Sequence, residues 1–542
     1  MPDKKNADQS RSLLLPAALV GLAVFFAMAF VYHPNTGWNV NTRLALVMAV
    51  VEEGRFTIDS YHDTPPWDTM DKAYYEGHHY SDKIFGVAVL ALPFYVTGRV
   101  LHGDALPFEA AHWVMKVGGV ALPGGISAAL FWVLLCRLGA PPRRALFLTA
   151  AGVFGTMWYG YGAVFYPYVP GLACLLGALY VTFFPPARRI TPWNALAVGA
   201  LLGFTMLCDY LFGLVVVGVG VIWLLRLGDQ GGLFGLRAFA EMTGERTPGK
   251  QLLGLAAVCA AGFFLPLAPW FAYTYSIYGE FAIPYRYEVD PRFREGMAQG
   301  FMGATYPKLH AFYFTTVHPF RGIFFWSPVL LAGLAGCILG TRQYGKRAIV
   351  GWLGLWAAAG YILFTASYYM WWGGWAMGPR FMIPMLPFVL LGAGELLRTD
   401  KLSALVRFPH WQKPAWGAVL VLGGVSIAMS FPIALADPQL PQGNQDHVLA
   451  EARIGTYLHV PHFEVLQGVY TGHLTVAPAD RLAGDVWTGR RLANVLWLLF
   501  FLAVVAAGLL LAAWKAPKAL PGIDRADFPF GTVDGTAAPP PG

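Results

Sequence analysis

Long apolar runs recur along the whole chain, and they constrain its fold more than any other feature. Twelve runs stand out, at 13–32, 113–136, 145–163, 167–184, 193–207, 210–226, 252–275, 322–340, 348–366, 381–397, 415–435 and 492–514. A helix of about 20 apolar residues is long enough to cross a bilayer. The pattern predicts an all-α polytopic membrane protein with about 12–13 transmembrane helices.

The charge content excludes several other classes of protein. Charged residues make up 13% of the chain and the mean hydropathy is +0.50, whereas a soluble domain carries roughly 25% charged residues. This balance excludes a soluble enzyme and a disordered chain. The five cysteines fall in or beside apolar runs and predict no disulfide. The net charge of +7 is spread over short clusters between the runs, so we expect no nucleic-acid partner.

The positions of Lys and Arg predict the topology. With twelve spans and an inner amino terminus, every basic cluster falls on the cytoplasmic side. The outer loops are then 33–112, 164–168, 276–321, 367–380 and 436–491. We expect a catalytic membrane module over 1–435, an outer loop or small cap over 436–491, a last helix over 492–514 and a disordered cytoplasmic tail over 515–542.

Segment 84–101 complicates the count of spans. It is apolar enough to be a helix, but as a full span it would invert everything that follows. We therefore interpret it as an interfacial or re-entrant helix on the outer side, and Pro93 in its middle fits a broken or tilted helix. The alternative is a thirteenth span with the inversion corrected elsewhere.

The first outer loop is dense in titratable side chains. A surface helix over Thr42–Glu53, closed by Gly54, is followed by many acids, bases and tyrosines. They include Asp59, Asp63, Asp68, Asp71, Asp82, Lys72, Lys83, His78, His79 and Tyr80. A carboxylate here can act as a general base, and neighbouring cations can neutralise a phosphate leaving group. The alternative is a polar loop whose acids pair with its own basic residues.

Three segments carry a resemblance to a known family. They are EGRFTID with DKAYYEGHHYSDKIFG in the first loop, HPFRGIFFWSP at 318–328 and SYYMWWGGWAMGPRFMIPMLP at 367–387. Their order and spacing resemble those of bacterial GT-C glycosyltransferases, related to protein O-mannosyltransferases and the lipid A aminoarabinose transferase. The resemblance implies a polyprenyl-phosphate sugar donor, reaction at the outer face with inversion, and an aspartate base in the first loop.

The catalytic base implied by the resemblance has to be sought farther along the loop than usual. Asn39 to Arg43 reads NVNTR, where many members of the family have an acid near the arginine. The base then falls on Asp59 as first choice and on Asp71 as second. Arg43 and Lys83 match the phosphate-contacting positions, and Lys72 is a weaker match.

Other candidate residues lie in the later outer loops. Arg321 and Arg380 are candidates for donor phosphate binding, and Tyr80, His318, Trp372 and Trp375 for substrate binding. Each cation or tryptophan also fits a purely interfacial role. Asp209 and the segment 280–295 are further candidates. No cofactor is required, although His78 and His79 with Asp82 offer a possible divalent metal site.

These features predict a glycosyltransferase of the bacterial inner (plasma) membrane, active on the periplasmic or extracellular face. Its partners are a polyprenyl-phosphate sugar, an envelope acceptor (lipid, glycan or protein) and the bilayer. A flippase of lipid-linked sugars and a polysaccharide ligase remain as alternatives.

Overall fold

The twelve apolar runs are helical in the structure, which confirms the all-α polytopic fold. The computed structural model describes residues 3–33, 36–185, 189–230, 247–319, 321–343, 345–374, 376–398, 412–436, 438–439 and 489–517. Among these residues, eight helices are long and apolar enough to cross a membrane. Four further apolar helices, Gly86–His102, Tyr168–Phe183, Pro192–Cys208 and Val329–Thr341, are shorter. The chain is therefore a multi-pass membrane protein.

The helices follow one another closely along the chain. They are α1 (Asp3–Phe30), α2 (Trp38–Met48), α3 (Gly86–His102), α4 (Phe108–Arg137), α5 (Pro142–Phe154), α6 (Met157–Gly162), α7 (Tyr168–Phe183), α8 (Pro192–Cys208), α9 (Gly213–Gln230), α10 (Gly249–Tyr278), α11 (Pro291–Ala298), α12 (Leu309–Thr316), α13 (Ile323–Trp326), α14 (Val329–Thr341), α15 (Lys346–Ser367), α16 (Leu386–Leu397), α17 (Gln412–Ala436) and α18 (Gly489–Lys515). Two predicted runs are interrupted. The run 145–163 breaks where Thr156 caps α6 by accepting from the Trp158 amide, and the run 322–340 breaks before α14.

Close backbone approach holds part of the bundle together. Gly199 and Gly203 on α8 face α10, where a Cβ on either residue would meet the carbonyl oxygen of Cys259 or Phe263 at 2.0 Å. Glycines four residues apart let two membrane helices pack backbone to backbone. The aromatic core lies elsewhere in the bundle, where Trp158 and Phe131 are fully buried with ring centroids 5.6 Å apart.

Two expectations for the first loop need correction. Helix α2 begins at Trp38, and its residues 40–48 are buried within the protein, so it is not a helix lying on the membrane surface. The helix continues beyond α2 as a π-helical turn over Ala49–Glu53, and its predicted end is confirmed, since Gly54 closes this turn with a positive φ of 64°. Helix α3 runs unbroken through Pro93, so of the two predicted forms, a broken or a tilted helix, the broken one is absent. Its placement relative to the membrane stays a prediction.

The first loop also contains a β-hairpin that an all-α prediction omits. Strands β1 (Lys72–Tyr75) and β2 (His78–Ser81) pair antiparallel, with Lys72 opposite Ser81. The two turn residues, Glu76 and Gly77, both have positive φ, which is the conformation that tight hairpins favour. The Glu-Gly pair between two tyrosine-rich stretches was the available sequence signal.

The predicted outer loops meet at one end of the bundle, which we call the loop end. Four contacts join them: Ala73–Glu288, Ala304–Tyr368, Arg380–Tyr166 and Met377–Pro438. The predicted inner loops meet in the same way at another place, which we call the basic end. Its contacts are Arg144–Leu397, Arg398–Leu138, Arg347–Glu395, and Arg137 and Lys346 with Phe184. The region 440–488 and the tail from 518 lie outside the described residues.

Candidate active site

A buried cluster of three acids and a lysine lies at the loop end. The Nζ of Lys83 is 3.1 Å from Asp71 Oδ2 and also contacts the carboxylate of Asp82. One carboxylate oxygen from each of Asp71, Asp82 and Glu288 lies within 4.8 Å of the other two. All four side chains are buried. We call this set the carboxylate cluster.

The hairpin and a second loop position these side chains. Asp71 immediately precedes β1 and Asp82 immediately follows β2, so the antiparallel register brings the two acids together. Glu288 comes from the loop after α10. Its backbone forms an antiparallel bridge with Ala73, and the next amide, Val289 N, donates to Lys72 O at 3.0 Å.

The cluster has buried oxygens that no donor of the described chain satisfies. They are Asp82 Oδ1 and both carboxylate oxygens of Glu288. Buried polar atoms without partners are rare in folded proteins, and they indicate a proton, an ion or a ligand not supplied by the chain. A proton shared between Glu288 and Asp82 supplies one such partner.

Crowding of the acids shifts their protonation. Burial, followed by the negative charge of Asp82, raises the pKa of Glu288 far above its ordinary value. Burial also raises the pKa of Asp82, although Lys83 opposes this effect. The pKa of Lys83 is raised despite its burial, because Asp71 and Asp82 stabilise its charge. At neutral pH the cluster thus holds a charged lysine and a protonated Glu288.

Two arginines extend the positive side of the site. Arg43 on α2 is buried, and its guanidinium contacts both the backbone and the side-chain oxygen of Asn39. Arg380 donates to the Tyr166 hydroxyl at 2.9 Å. Neither Nε atom has an acceptor among the described residues.

Tyr166 and Asp209 show that the charged groups converge. Tyr166 lies within electrostatic reach of Asp71, Lys83 and both arginines. Asp209, which caps the turn before α9 by accepting from the Leu211 amide, lies within reach of the same three cations. One region therefore combines Arg43, Lys83 and Arg380 with at least three acids.

Asp59 belongs to a different part of the loop. Its Oδ1 accepts from the His79 amide at 2.8 Å, and its Oδ2 lies 2.8 Å from His78 Nδ1. Partial burial raises the pKa of Asp59, but the hydrogen bonds from His79 and His78 outweigh burial and leave it below its ordinary value. The structure groups Asp71, and not Asp59, with the cations.

Two other first-loop candidates also point away from the carboxylate cluster. Lys72 donates to His62 Nδ1 at 2.9 Å and to the His62 carbonyl at 3.2 Å. Neighbouring residues of an extended chain face opposite ways, so Lys72 points away from the side on which Asp71 lies. Tyr80 lies beside Tyr278 with ring centroids 6.2 Å apart, in an aromatic group next to the hairpin. Neither contact is to Lys83 or to the three acids.

Arg321 holds a loop in place. It is fully buried and donates to the carbonyls of Ala376, Gly378 and Gly374, the last two at 3.1 and 2.6 Å. Gly374 and Gly378 both have φ of 68°. This clamp shapes the segment that leads into Arg380, so Arg321 is a positioning residue for that segment.

The predicted substrate-binding aromatics form a separate group. His318 and Trp371 both contact Phe314, with ring centroids 4.7 and 5.7 Å away, and Trp372 packs on Trp371. Trp375 lies outside the described residues. The aromatic group lies in the loops that form the loop end, and its contact with a substrate stays a prediction.

The predicted metal-binding combination is not formed. His79 lies with Asp59 and His62, whereas Asp82 lies with Asp71 and Glu288. The hairpin separates them because His79 is within β2 and Asp82 is beyond its end. Two possible ion-binding groups replace the predicted one.

Glu288 is the residue of the carboxylate cluster that was least predictable from the sequence. The segment 280–295 offered either an acceptor-side loop or a salt-bridged surface, and the structure contains both features. Glu280 pairs with Arg286 and the buried Asp290 with Arg292, while Glu288 is buried and joins the hairpin acids. Only the bridge to Ala73 distinguishes it, and such a long-range pairing leaves no local signal.

No protein-family model and no curated protein sequence matches the chain. Solved structures do match. The match to ArnT from Cupriavidus metallidurans bound to undecaprenyl phosphate spans 93% of this chain and 76% of the ArnT chain, at 17% identity and TM-score 0.47. The match to AglB from Archaeoglobus fulgidus, in complex with an inhibitory peptide and a dolichol-phosphate, spans 85% of this chain and 60% of the AglB chain, at 13% identity and TM-score 0.40.

A further match is to a structure of the Archaeoglobus fulgidus oligosaccharyltransferase in complex with Zn and sulfate. It spans 83% of this chain and 57% of the other, at 13% identity and TM-score 0.40. ArnT is a lipid A aminoarabinose transferase, and both ArnT and AglB are membrane glycosyltransferases of the GT-C superfamily. At these identities and TM-scores, the function of this chain has to be argued from its own residues.

Proposed function

We propose that the chain is a membrane glycosyltransferase that moves a sugar from a polyprenyl-phosphate donor to an acceptor at the loop end of the bundle. The observation that carries the proposal is the buried carboxylate cluster with its lysine, which lies within electrostatic reach of Arg43 and Arg380. Undecaprenyl phosphate and dolichol-phosphate are bound by the structurally similar ArnT and AglB. An apolar bundle that ends in buried cations suits the same kind of lipid phosphate.

Lys83, Arg43 and Arg380 are the proposed phosphate ligands. Arg43 and Arg380 each keep an Nε without an acceptor among the described residues. Arginine presents a planar fork of donors that matches phosphate oxygens, and lysine adds a point charge. Together they would stabilise the negative charge that grows on the phosphate as the bond to the sugar breaks.

Asp71 is the proposed general base. It accepts the proton of the acceptor hydroxyl while the acceptor oxygen attacks the anomeric carbon and the lipid phosphate leaves, which inverts that carbon. Its ion pair with Lys83 links the base to the leaving-group side of the site. Asp59 stays the competing candidate, but its contacts to His78 and His79 hold it elsewhere.

The three acids of the carboxylate cluster also fit a divalent ion. Each offers one carboxylate oxygen within 4.8 Å of the other two, and such oxygens are the hard ligands that Mg²⁺ and Ca²⁺ prefer once Glu288 has lost its proton. Such an ion would add positive charge beside the donor phosphate when bound. The chain's own contribution is the same with or without it, because Lys83 and the arginines hold the phosphate and Asp71 takes the proton.

We place the loop end on the outer face of a bacterial inner membrane, because the opposite end collects the basic loops. Labelling tests this orientation. A cysteine-reactive tag at 60–75 should be accessible from outside, and one at 140–144 only from inside. The reverse pattern would invert the proposed topology.

The reaction is tested by purified protein in proteoliposomes with labelled polyprenyl-phosphate sugars and envelope acceptors. Wild type, Asp71→Asn and Asp59→Asn are compared at matched protein amounts. Transfer lost in Asp71→Asn and retained in Asp59→Asn supports the proposed base, and the opposite result returns the role to Asp59. If wild type transfers nothing and moves lipid-linked sugar across the bilayer, the protein is a flippase and the proposal is wrong.

A further inference from the structure

A second titratable cluster lies in the first loop, outside the carboxylate cluster. Asp59, His62 and His79 each offer one ligand atom, and these atoms lie within 4.8 Å of one another. We call them the histidine cluster. They are partly exposed, in contrast to the buried acids around Lys83, so an ion in solution can reach them.

Two chain segments build the histidine cluster. His79 lies within β2, while Asp59 and His62 lie in the bend that precedes the hairpin. The bend is tied to β2 by one backbone bond, from the Ile58 amide to the His79 carbonyl at 2.8 Å, and by one side-chain bond, in which Asp59 Oδ1 accepts from the His79 amide at 2.8 Å. The two bonds fix the carboxylate next to the imidazoles.

The imidazoles are unusually close to each other. The rings of His62 and His79 stack with centroids 3.8 Å apart, and His79 Nδ1 lies 3.3 Å from Asp59 Oδ1. Together with Asp59, these rings place two imidazole nitrogens and one carboxylate oxygen within 4.8 Å of one another. Imidazole and carboxylate are ligand types that transition-metal ions take.

His78 and Lys72 surround the three ligands. His78 Nδ1 lies 2.8 Å from Asp59 Oδ2, which leaves Oδ1 facing His79. Neighbours of this kind orient a metal-binding carboxylate. Lys72 Nζ donates to His62 Nδ1 at 2.9 Å, so a positive charge stands beside that ring and would oppose a cation.

We infer that Asp59, His62 and His79 form a binding site for a transition-metal ion of the Zn²⁺ class, which clips the bend before the hairpin onto β2. One carboxylate and two imidazoles are a ligand set that Zn²⁺ uses with a fourth position left open. The carboxylate cluster offers oxygen ligands alone, so the two sites differ in the ions they favour. The inference does not rest on the proposed function.

Co²⁺ binding to the full-length protein tests the site directly. The protein is purified with a histidine-free affinity tag, and Co²⁺ is titrated while the visible absorption of tetrahedral nitrogen-ligated Co²⁺ is recorded. Wild type should bind one ion with this band, and Zn²⁺ should displace it. His79→Ala and Asp59→Asn should each lose the band or bind at least about tenfold more weakly.

Two variants serve as matched controls. His102→Ala removes a histidine on the last turn of α3 that contacts only Asp104 among the residues described, and Glu288→Gln alters the carboxylate cluster. Both should keep the band. Size-exclusion profiles and thermal unfolding without metal show whether each variant is folded.

Lys72→Gln should strengthen Co²⁺ binding, whereas the ligand variants weaken it. Removing the charge beside His62 should tighten Co²⁺ binding by about tenfold, the order expected for one unit charge a few ångströms away in a partly solvated site. Absence of the band in folded wild type overturns the inference. So does a band that Glu288→Gln abolishes and folded His79→Ala keeps, because the ion would then sit among the acids.

Discussion

The loop end and the basic end of the bundle use the same residue types in different ways. At the basic end, Arg347 forms a buried pair with Glu395 and Arg144 donates to the Leu397 carbonyl. At the loop end, Glu288 is buried without a cation of its own and holds a proton beside Asp82. Removal of one partner from a buried ion pair is costly, whereas a buried acid without a cation can give up its proton to accept an ion or a ligand.

The difference explains why counting charges per loop does not locate a site. Arg321 and Arg380 belong to the same end, but Arg321 donates to three backbone carbonyls, those of Gly374, Ala376 and Gly378, whereas Arg380 donates to the Tyr166 hydroxyl. What separates a binding arginine from a positioning arginine is the supply of nearby acceptors, and this depends on tertiary structure.

Asp71→Asn should give the largest effect and should act on the loop end alone. Loss of the proposed base should lower the rate of sugar transfer by about 10²- to 10⁴-fold. Initial rates in proteoliposomes measure this loss, and Tm in detergent should change little because asparagine has nearly the same shape. A similar loss in Asp59→Asn would contradict the assignment.

Glu395→Gln should lower stability and leave activity unchanged, the reverse of Asp71→Asn. It leaves Arg347 buried without its counter-ion, which should destabilise the protein by about 3–5 kcal/mol. A lower Tm should appear while the rate per folded molecule is retained. Equal loss of specific activity would show that the two ends are not independent.

Lys83→Met tests the phosphate side of the site. We expect the KM for the lipid donor to rise by about tenfold to a hundredfold, with a smaller change for the acceptor, because a charge-assisted contact to phosphate is lost. Lys116→Met is a control that removes another buried lysine, one bound to carbonyls at the end of α1. Equal weakening toward donor and acceptor would indicate a structural role.

Glu288→Gln should change how stability depends on pH. The raised pKa of Glu288 means that the folded state holds its proton above the ordinary glutamate range, so this contribution is complete below about pH 4.5 and declines as pH rises toward the raised pKa. Tm of wild type should fall relative to Glu288→Gln between about pH 5 and pH 9. Parallel curves would show that Glu288 ionises normally.

Gly77→Ala should have the smallest effect. Gly77 has φ of 88° with open space around it, so a methyl group adds backbone strain and no clash. We expect a loss of about 1 kcal/mol, seen as a small fall in Tm. A large loss of transfer with unchanged Tm would show that the turn itself contacts substrate.

Sequence reasoning predicted the helices and the grouping of loops because both follow from local properties. Apolar runs fix the helices, and the position of basic residues fixes which loops share an end. The carboxylate cluster was only partly predictable. Asp71 and Lys83 were chosen from the resemblance. The contact of Asp82 with Glu288 depends instead on the hairpin register and on the β-bridge between Ala73 and Glu288.

The bridge between Ala73 and Glu288 has a consequence for how the site assembles. Chains are synthesised from the amino terminus, so Asp71, Asp82 and Lys83 emerge long before Glu288, and Arg380 comes later still. A nascent chain that stops short of residue 288 lacks an acid of the carboxylate cluster, and one that stops short of 380 lacks a cation. The proposed sugar transfer should therefore begin only late in membrane insertion.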